Sequence, residues 1–261
     1  MNISLESKHA IICGSTQGIG LAVAEELATL GARCTLIARN EESLQEAVNK
    51  LHVSAGQKHD YLVADFSDPA SLKKIIEEYM RNEQVHILVN NTGGPPAGPI
   101  AGAEEQDFLN AFNQHLICNH ILAKAVIPSM KSVQYGRIIN IISTSVKIPI
   151  KNLGVSNTIR GAVASWAKTM ANELGQFNIT VNNVLPGFTE TERLRSMIAG
   201  IARARKITDE EVASEMRIEI PLKRFGSVSE IASVTAFLAT PAASFLTGAS
   251  IPVDGGRTGS I

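Results

Sequence analysis

Short apolar runs alternate with amphipathic segments along the whole chain. The first run, residues 9–13, ends in a glycine-rich turn, and the segment after it places Ile19, Val23, Leu27 and Leu30 on one helical face. Similar apolar runs predict further strands at residues 33–38, 61–64, 85–89, 137–142, 179–185 and 251–253. Amphipathic segments predict helices at residues 19–30, 41–51, 69–80, 104–130, 156–174 and 231–238.

The character of these strands indicates how the sheet is built. Several are continuous apolar runs rather than alternating patterns, which is typical of parallel strands covered by helices on both faces. Strand–helix alternation at this spacing implies right-handed crossover connections. We therefore expect an α/β fold, with a Rossmann-type doubly wound parallel sheet of about seven strands, in a single domain that spans residues 1–261.

Residues 191–221 interrupt this regular alternation. The segment is charged and helical in character. It is either a lid over a substrate cleft or a solvated helical excursion. Its apolar residues recur near helical spacing, so they either face an apolar substrate or pack a helix onto the body. These residues are Leu194, Met197, Ile198 and Ile201.

The glycine-rich turn at residues 13–20 predicts a dinucleotide site. The pattern G-x-x-x-G-x-G follows a strand and opens a helix at the first strand-to-helix turn, which makes it a strong signal. Gly14 permits the tight turn, while Gly18 and Gly20 let the backbone approach a pyrophosphate at the helix N-terminus. The predicted contacts come from Gly14, Ser15, Gly18, Ile19 and Gly20. An ordinary glycine-rich turn is the alternative.

The end of the second strand indicates which dinucleotide is bound. An acidic residue about 20 positions after the glycine turn binds the ribose of NAD. This chain has Ala38-Arg39-Asn40 there and no acid. Arg39 can instead meet a 2′-phosphate, so NADP is the expected cofactor and NAD is less favoured. A surface arginine at the start of a helix is the alternative.

Composition and charge narrow the class of protein further. Hydrophobic residues make up 44% and charged residues 19% of the chain, so a large core can be buried. The formal net charge of -1 gives no broad basic field for nucleic acid or an anionic membrane. The three cysteines, Cys13, Cys34 and Cys118, fit reduced thiols better than a disulfide framework. With no signal-peptide pattern, long apolar stretch or metal-ligand set, we expect a cytoplasmic protein without a metal.

Six further motifs follow one another in an order that resembles the short-chain dehydrogenase/reductase family. Their order is more specific than any one of them. They are Asp65-Phe66, Asn90-Asn91-Thr92-Gly93, Asn140-Ile141-Ile142-Ser143, Pro186-Gly187-Phe188-Thr189-Glu190-Thr191, Pro221-Leu222-Lys223-Arg224-Phe225-Gly226 and Val253-Asp254-Gly255-Gly256. The resemblance covers nearly the whole chain and is greatest to the 3-oxoacyl-acyl-carrier-protein reductase-like branch.

This resemblance implies both an activity and an assembly. Members of the family transfer a hydride between nicotinamide and a carbonyl or alcohol carbon. They are usually homotetramers or homodimers that pair long helices, which here correspond to residues 104–130 and 156–174. The implied cofactor contacts are Asp65 and Phe66 at adenine, Asn91 and Gly93 after the fourth strand, and Gly187 and Thr189 at the nicotinamide carboxamide.

The catalytic residues depart from the family pattern. The family has a catalytic serine, here Ser143, and a Tyr-x-x-x-Lys pair on the next helix. At the spacing from Ser143, this pair falls on Ser156 and Arg160, and the family's asparagine position is occupied by His115. A serine hydroxyl is a far weaker acid than a phenol, and Arg160 stays protonated at ordinary pH. Among these groups only His115 is expected to titrate near neutrality.

We therefore hypothesise a rearranged site for proton transfer. Ser143 and Ser156 bind the substrate oxygen, Arg160 supplies positive charge and holds ribose hydroxyls, and His115 or water relays the proton. Each residue also has a plainer interpretation. His115 fits a buried, hydrogen-bonded helix histidine equally well, and Ser156 and Arg160 fit roles in cofactor binding or helix capping alone.

Two functions are consistent with this sequence. The first is an NADP-dependent oxidoreductase that reduces a carbonyl of the 3-oxoacyl type, with serine and arginine in place of tyrosine and lysine. The expected substrate of such an enzyme is a small-molecule carbonyl compound or an acyl thioester. The second is a non-catalytic dinucleotide-binding protein that acts as a sensor or an assembly partner. Neither function involves nucleic acid or a membrane.

Overall fold

A seven-stranded parallel sheet forms the centre of the molecule. The computed structural model describes residues 1–54 and 56–260. The strands are β1 (His9–Cys13), β2 (Arg33–Ala38), β3 (Asp60–Val63), β4 (Ile87–Asn90), β5 (Gly136–Ile141), β6 (Ile179–Pro186) and β7 (Ser250–Val253). They pair in the order β3-β2-β1-β4-β5-β6-β7, each parallel to its neighbours. The order reverses between β1 and β4, which confirms the predicted doubly wound sheet.

Helices cover both faces of this sheet. They are α1 (Gly18–Thr29), α2 (Glu41–Lys50), α3 (Pro69–Tyr79), α4 (Glu105–Phe112), α5 (Cys118–Ser132), α6 (Gly154–Leu174), α7 (Glu192–Arg205), α8 (Asp209–Ile218) and α9 (Val228–Ala239). One core joins α1, α2 and α9 to the sheet, and a second joins α3, α5 and α6 to its other face. None of the helices in the described part of the chain combines the length and hydropathy that a membrane span needs.

The helical region predicted at residues 104–130 contains a local change of geometry. Helices α4 and α5 are joined by a π-helical turn, Asn113–Ile117, that contains the buried His115. Such single π turns inside α-helices occur often at functional sites, because the extra residue turns side chains toward a new direction. The amphipathic pattern predicted the helix but not the turn that positions His115.

A row of polar side chains crosses the centre of the otherwise apolar sheet. Asn90, Asn140 and Asn183 lie in register on β4, β5 and β6, and Ser250 follows on β7. Each side-chain amide donates from its Nδ2 to the next residue in the row. The donor–acceptor distances are 2.8 Å from Asn90 to the Oδ1 of Asn140, 2.9 Å from Asn140 to the Oδ1 of Asn183 and 3.0 Å from Asn183 to the Oγ of Ser250. Buried amides need such partners, so the row holds four strands in one register.

Replacing Asn140 with leucine should destabilise the protein substantially. The substitution removes two buried hydrogen bonds and leaves polar atoms of Asn90 and Asn183 without these partners. We expect the free energy of unfolding to fall by about 2–4 kcal/mol, measured by urea denaturation. The exposed Asn49→Leu on α2 is the control and should change stability by less than about 0.5 kcal/mol. Equal effects of the two substitutions would contradict the role of this row.

The segment at residues 191–221 folds as a helical pair with its own small core. Leu194 and Ile198 of α7 are buried against Val212 and Met216 of α8. Met197 and Ile201 are partly buried against the same cluster. The apolar residues therefore pack α7 against α8, so they serve packing as the second interpretation had it, but within the helical pair rather than against the body. At the base of the pair, Thr189 and Gly226 form a parallel bridge.

Candidate active site

The glycine-rich turn lies where the strand order reverses, between β1 and β4. Gly14 has a φ of +58°, a conformation that favours glycine. A Cβ on Gly20 would lie 2.1 Å from the carbonyl oxygen of Gly14. Asn91, just after β4, donates from Nδ2 to the carbonyl oxygens of Cys13 (3.2 Å) and Gly14 (3.1 Å). Asn91 thus joins the two strands on either side of the predicted cofactor cleft.

The start of α1 fits a dinucleotide phosphate. The N-cap residue Gln17 makes no side-chain capping bond, and the first turn of α1 carries no acidic residue. The helix N-terminus therefore presents free N–H groups and a positive dipole end. The hydroxyl of Ser15 is buried and has no hydrogen-bond partner among the described residues. Buried polar atoms are normally paired, so this unpaired hydroxyl supports a ligand contact.

Arg39 and Asp65 lie close together beyond the ends of β2 and β3. Arg39 is exposed and makes no hydrogen bond or ion pair within the described residues, so its guanidinium is available to a phosphate. Asp65 accepts a hydrogen bond from the backbone N–H of Ser67, which lowers the pKa of its carboxyl group, and the charge of Arg39 adds to this effect. Phe66, the next residue, is partly buried.

The other end of the cleft is formed by the segments after β4 and β6. Thr189 is buried, and its hydroxyl donates to the carbonyl oxygen of Gly187 over 3.2 Å. A Cβ on Gly187 would lie 2.6 Å from the Cβ of Asp254, so the Pro-Gly loop packs closely against the C-terminal motif. Gly93 is exposed, and a Cβ added to it would have no described atom within 4 Å. These residues follow the carboxyl ends of their strands, where ligands of such sheets bind.

Ser143, Ser156 and Arg160 come from β5 and the start of α6. Ser143 follows β5, and its hydroxyl accepts a hydrogen bond from the backbone N–H of Ser145 (3.1 Å). Ser156 is buried in the first turn of α6 and makes no side-chain hydrogen bond within the described residues. Arg160, one turn later, donates to the carbonyl oxygens of Ile141 (3.1 Å) and Thr92 (3.4 Å). Its guanidinium therefore bridges the ends of β4 and β5.

His115 is buried beside the segment that follows β4. Its Nδ1 lies 2.6 Å from the Oγ1 of Thr92, and its Nε2 is buried without a hydrogen-bond partner among the described residues. Burial, together with the charges of Arg160 and Arg193, lowers the pKa of His115 to about 3. The expectation that His115 titrates near neutrality is therefore wrong, because burial and two nearby cations hold the imidazole neutral.

Thr92 and Arg193 also belong to the site, although the sequence pattern did not single out either residue. Thr92 contacts both His115, through its hydroxyl, and Arg160, through its carbonyl oxygen. Arg193 lies in the first turn of α7 and donates to the carbonyl oxygens of Gly94 (2.8 Å) and Pro95 (3.1 Å). Their positions could have indicated them, since Thr92 lies inside the motif after β4 and Arg193 lies two residues after the Pro-Gly motif.

Acid should destabilise the protein through three histidines. Burial lowers the pKa of His9 and His86 to about 4 and that of His115 to about 3, against an ordinary value of 6.5. Between these values the unfolded chain binds more protons than the folded one, so stability is full above pH 6.5 and falls as the pH falls.

The slope should approach about 4 kcal/mol per pH unit near pH 5, since each proton contributes about 1.4 kcal/mol. Urea denaturation at a series of pH values measures this slope. His86→Asn should reduce it by about one third, and the exposed His52→Gln is the control. A stability independent of pH in this range would contradict the buried, neutral histidines.

Comparison with known proteins gives the class that this fold and site define. The family model described as Enoyl-(Acyl carrier protein) reductase matches residues 14–258. The chain belongs to the short-chain dehydrogenase/reductase family, and its relatives include the 3-oxoacyl-acyl-carrier-protein reductases.

Individual relatives cover almost the whole chain. A putative ketoacyl reductase of the granaticin polyketide synthase of Streptomyces violaceoruber is 34% identical, over 95% of this chain and 92% of its own. The 3-oxoacyl-[acyl-carrier-protein] reductase FabG of Pseudomonas aeruginosa is 32% identical, over 97% of this chain and 98% of its own. The structure of L-sorbose reductase from Gluconobacter frateurii, complexed with NADPH and L-sorbose, superposes with a TM-score of 0.93 at 28% identity and covers 100% of both chains.

Proposed function

We propose that the protein is an NADP-dependent reductase that acts on a carbonyl of the 3-oxoacyl type, with Ser156 and Arg160 in place of the usual tyrosine and lysine. The observation that supports this most is the convergence on Thr92. His115 contacts its hydroxyl and Arg160 contacts its carbonyl oxygen, at the carboxyl end of β4. Two of the residues proposed for catalysis thus meet at one end of the proposed cleft, whose other end fits a dinucleotide.

The residues that would hold NADP follow the cleft from end to end. Bound NADPH supplies the hydride. The diphosphate fits the N-terminus of α1 with Ser15, and Arg39 fits the 2′-phosphate. Among the solved structures of relatives, that of a gluconate 5-dehydrogenase from Burkholderia cenocepacia is in complex with NADP, at 29% identity. Asp65 and Phe66 fit adenine, and Gly187 and Thr189 fit the carboxamide.

In this proposal the two serines and Arg160 bind the substrate oxygen. The hydroxyls of Ser143 and Ser156 donate hydrogen bonds to it, and the guanidinium of Arg160 stabilises the negative charge that develops there. Burial lowers the pKa of Arg160 to about 10, so the side chain remains charged at neutral pH. A fixed cation in a buried site stabilises an oxyanion more strongly than it does in water.

The proton is proposed to come from neutral His115. We assign the Thr92 hydroxyl as the donor to Nδ1 over 2.6 Å, which puts the ring proton on Nε2, the atom that lacks a protein partner among the described residues. Neutral imidazoles act as hydrogen-bond donors to carbonyl oxygens in other enzymes. An alkoxide is a stronger base than imidazolate, so it can take the Nε2 proton, and a proton from solvent then restores the Nε2–H, so that each turnover consumes one proton. His115 therefore acts as a relay without ever becoming imidazolium.

NADPH oxidation tests the proposed function. The wild-type protein is assayed with ketones, 3-oxoacyl thioesters and quinones, after NADPH binding is established by fluorescence. Turnover that falls in Ser156→Ala supports the proposal. The second candidate, a non-catalytic sensor or assembly partner, is favoured by the missing tyrosine and predicts binding without turnover on every compound.

Arg39→Ala should weaken the binding of NADPH selectively. A charge-assisted contact between a guanidinium and the 2′-phosphate is worth about 1.5–3 kcal/mol, so the Kd for NADPH should rise about 10- to 100-fold while that for NADH stays unchanged. Fluorescence titration measures both constants. Arg203→Ala, which removes an exposed arginine of α7, is the matched control. Parallel losses for NADPH and NADH would contradict the proposed contact.

The assembly and the helical pair are further parts of the proposal. We infer a homotetramer or homodimer that pairs residues 104–130 and 156–174, supported by the exposure of Leu109 (56%) and Phe112 (39%) on α4. Light scattering of Leu109→Glu tests this assembly, and we expect a smaller particle.

The segment at residues 191–221 is proposed as a substrate lid. The buried free thiols of Cys13, Cys34 and Cys118 support a reducing, cytoplasmic location.

A further inference from the structure

Arg160 and Arg193 form a pair of cations at the end of the cleft. Arg160 comes from α6 and Arg193 from the first turn of α7. Both guanidinium groups bind the same short segment after β4, since Arg160 donates to the carbonyl oxygen of Thr92 (3.4 Å) and Arg193 to those of Gly94 (2.8 Å) and Pro95 (3.1 Å). Burial and then the charge of Arg193 lower the pKa of Arg160, in keeping with this position. Two helices thus bring like charges to one segment, which also contacts a buried imidazole whose Nε2 has no partner among the described residues.

No carboxylate in the described part of the chain balances these two charges. Within the described residues, neither guanidinium has an Asp or Glu oxygen within 4.0 Å, and each donates only to backbone carbonyl oxygens. Most other arginines of the chain have an acidic partner, among them Arg33 with Glu83 at 2.8 Å and Arg224 with Glu230 at 2.6 Å. Arg160 is buried and Arg193 is exposed at the mouth of the same segment, and like charges held near each other repel, so the arrangement favours an anion between them.

Arg137 shows what a purely structural arginine looks like in this protein. It is also buried without a carboxylate among the described residues, but it packs on an aromatic ring that the Nζ of Lys8 also contacts, at 4.3 Å from the ring centroid. Its guanidinium lies 4.1 Å from the ring centroid of Tyr135 and donates to the carbonyl oxygen of Gly136. Arg160 and Arg193 have no such aromatic partner among the described residues, and both bind the segment that also contacts His115. Their arrangement therefore favours a binding role over packing.

We propose that Arg160 and Arg193 form a subsite for an ionised carboxylate of the substrate, so that the enzyme prefers free oxo acids to neutral ketones or esters. Planar guanidinium groups match a carboxylate through paired hydrogen bonds. The inference rests on the proposed reductase function and narrows its substrate class. His115 Nε2 lies beside this subsite, so a carboxylate held there places the nearby carbonyl oxygen within reach of the proposed proton donor.

Gly94 fixes the position of Arg193. A Cβ on Gly94 would lie 2.6 Å from Nη2 and 2.7 Å from Nη1 of Arg193, so the guanidinium lies flat against the bare backbone. An alanine at this position must push the guanidinium aside. Gly94→Ala therefore displaces the charge of Arg193 without removing it.

The diphosphate of the cofactor is the other anion that this pair of cations can bind. Thr191, at the N-cap of α7, lies near the glycine turn. Its Cγ2 would be 3.7 Å from a Cβ added to Gly18. The start of α7 is therefore within reach of both ends of the cleft. Affinity for NADPH and preference for an acid substrate distinguish these two sources of the anion.

The test compares each oxo acid with its methyl ester. The pairs are pyruvate, acetoacetate and levulinate, each with its methyl ester, and kcat/KM is measured with NADPH for wild type, Arg193→Gln, Gly94→Ala and Arg195→Gln. Arg195 is the matched control, an exposed arginine of the same helix that pairs with Glu192 at 3.3 Å. Calorimetric titration of the same compounds into the NADPH-loaded protein measures binding independently of turnover, and the Kd for NADPH is measured for every variant.

We expect wild type to prefer at least one acid over its ester by about 10- to 100-fold, Arg193→Gln and Gly94→Ala to lose this preference, and Arg195→Gln to keep it. Equal use and equal binding of acid and ester by wild type would overturn the subsite. So would a higher Kd for NADPH in Arg193→Gln with an unchanged preference, which would assign the cations to the cofactor diphosphate. Selective binding of an acid without turnover would retain the subsite and reject the reductase function.

Discussion

Gly20→Ala is expected to lower the affinity for NADPH at least about 100-fold and the free energy of unfolding by about 3 kcal/mol. The added Cβ would lie 2.1 Å from the carbonyl oxygen of Gly14 and 2.7 Å from the Nδ2 of Asn91. The first of these atoms belongs to the backbone, so it cannot rotate away as a flexible side chain does. The turn must open, and the N–H groups of α1 then move away from the diphosphate.

Two measurements separate the loss of binding from the loss of fold. Circular dichroism establishes the temperature range in which Gly20→Ala stays folded, and NADPH fluorescence is titrated within that range. Gly200→Ala is the matched control, because Gly200 lies inside α7 with no described atom within 4 Å of a Cβ position. It should stabilise the protein by about 1 kcal/mol and leave NADPH binding unchanged. Wild-type affinity in Gly20→Ala would show that the cofactor does not use this turn.

His115→Ala is expected to lower kcat about 100- to 1000-fold with the best substrate found, because it removes the proposed proton donor. His115→Asn should fall between the alanine variant and wild type, since an amide N–H can polarise the substrate oxygen but cannot supply the proton. Steady-state kinetics with NADPH measures all three proteins. A wild-type rate in His115→Ala would contradict the relay.

The pH profile of the same enzyme separates a neutral relay from an imidazolium donor. The pKa of His115 is lowered to about 3, so the imidazole stays neutral throughout the range in which the protein is stable. We therefore expect no decline of kcat that centres on the ordinary histidine pKa of 6.5. A decline there in wild type that disappears in His115→Asn would show that His115 titrates near neutrality after all.

The sheet and the cofactor cleft were predictable because their signals are local. Apolar runs such as His9–Cys13 and Ile179–Pro186 indicate buried parallel strands without any knowledge of their neighbours. The glycine turn carries its own geometric reason, since Gly14 has a positive φ and Gly20 lies against its carbonyl oxygen. The absence of an acid beside Arg39 was likewise visible in three consecutive residues.

The chemistry of the site was less predictable because it depends on distant residues. His115 has a low pKa because it is buried and because Arg160 of α6 and Arg193 of α7 add positive charge, and the sequence alone could not show its burial or place those charges. Arg193 contacts Gly94 and Pro95, which lie almost a hundred positions earlier in the chain. The interstrand amides were hidden for the same reason, since an asparagine in an apolar run shows no partner until the strands are in register.

The central claim is that hydride transfer survives the loss of the tyrosine and lysine pair. Single-turnover incubation with NADPH deuterated at the transferable position of the nicotinamide tests it most directly. The substrate is the oxo acid or ketone that binds best, and mass spectrometry follows the label. We predict one deuterium at the new alcohol carbon, with transfer slowed in Ser156→Ala and His115→Ala. Bound NADPH that keeps its deuterium while substrate is bound beside it would contradict this claim and identify a protein that binds the cofactor without using it.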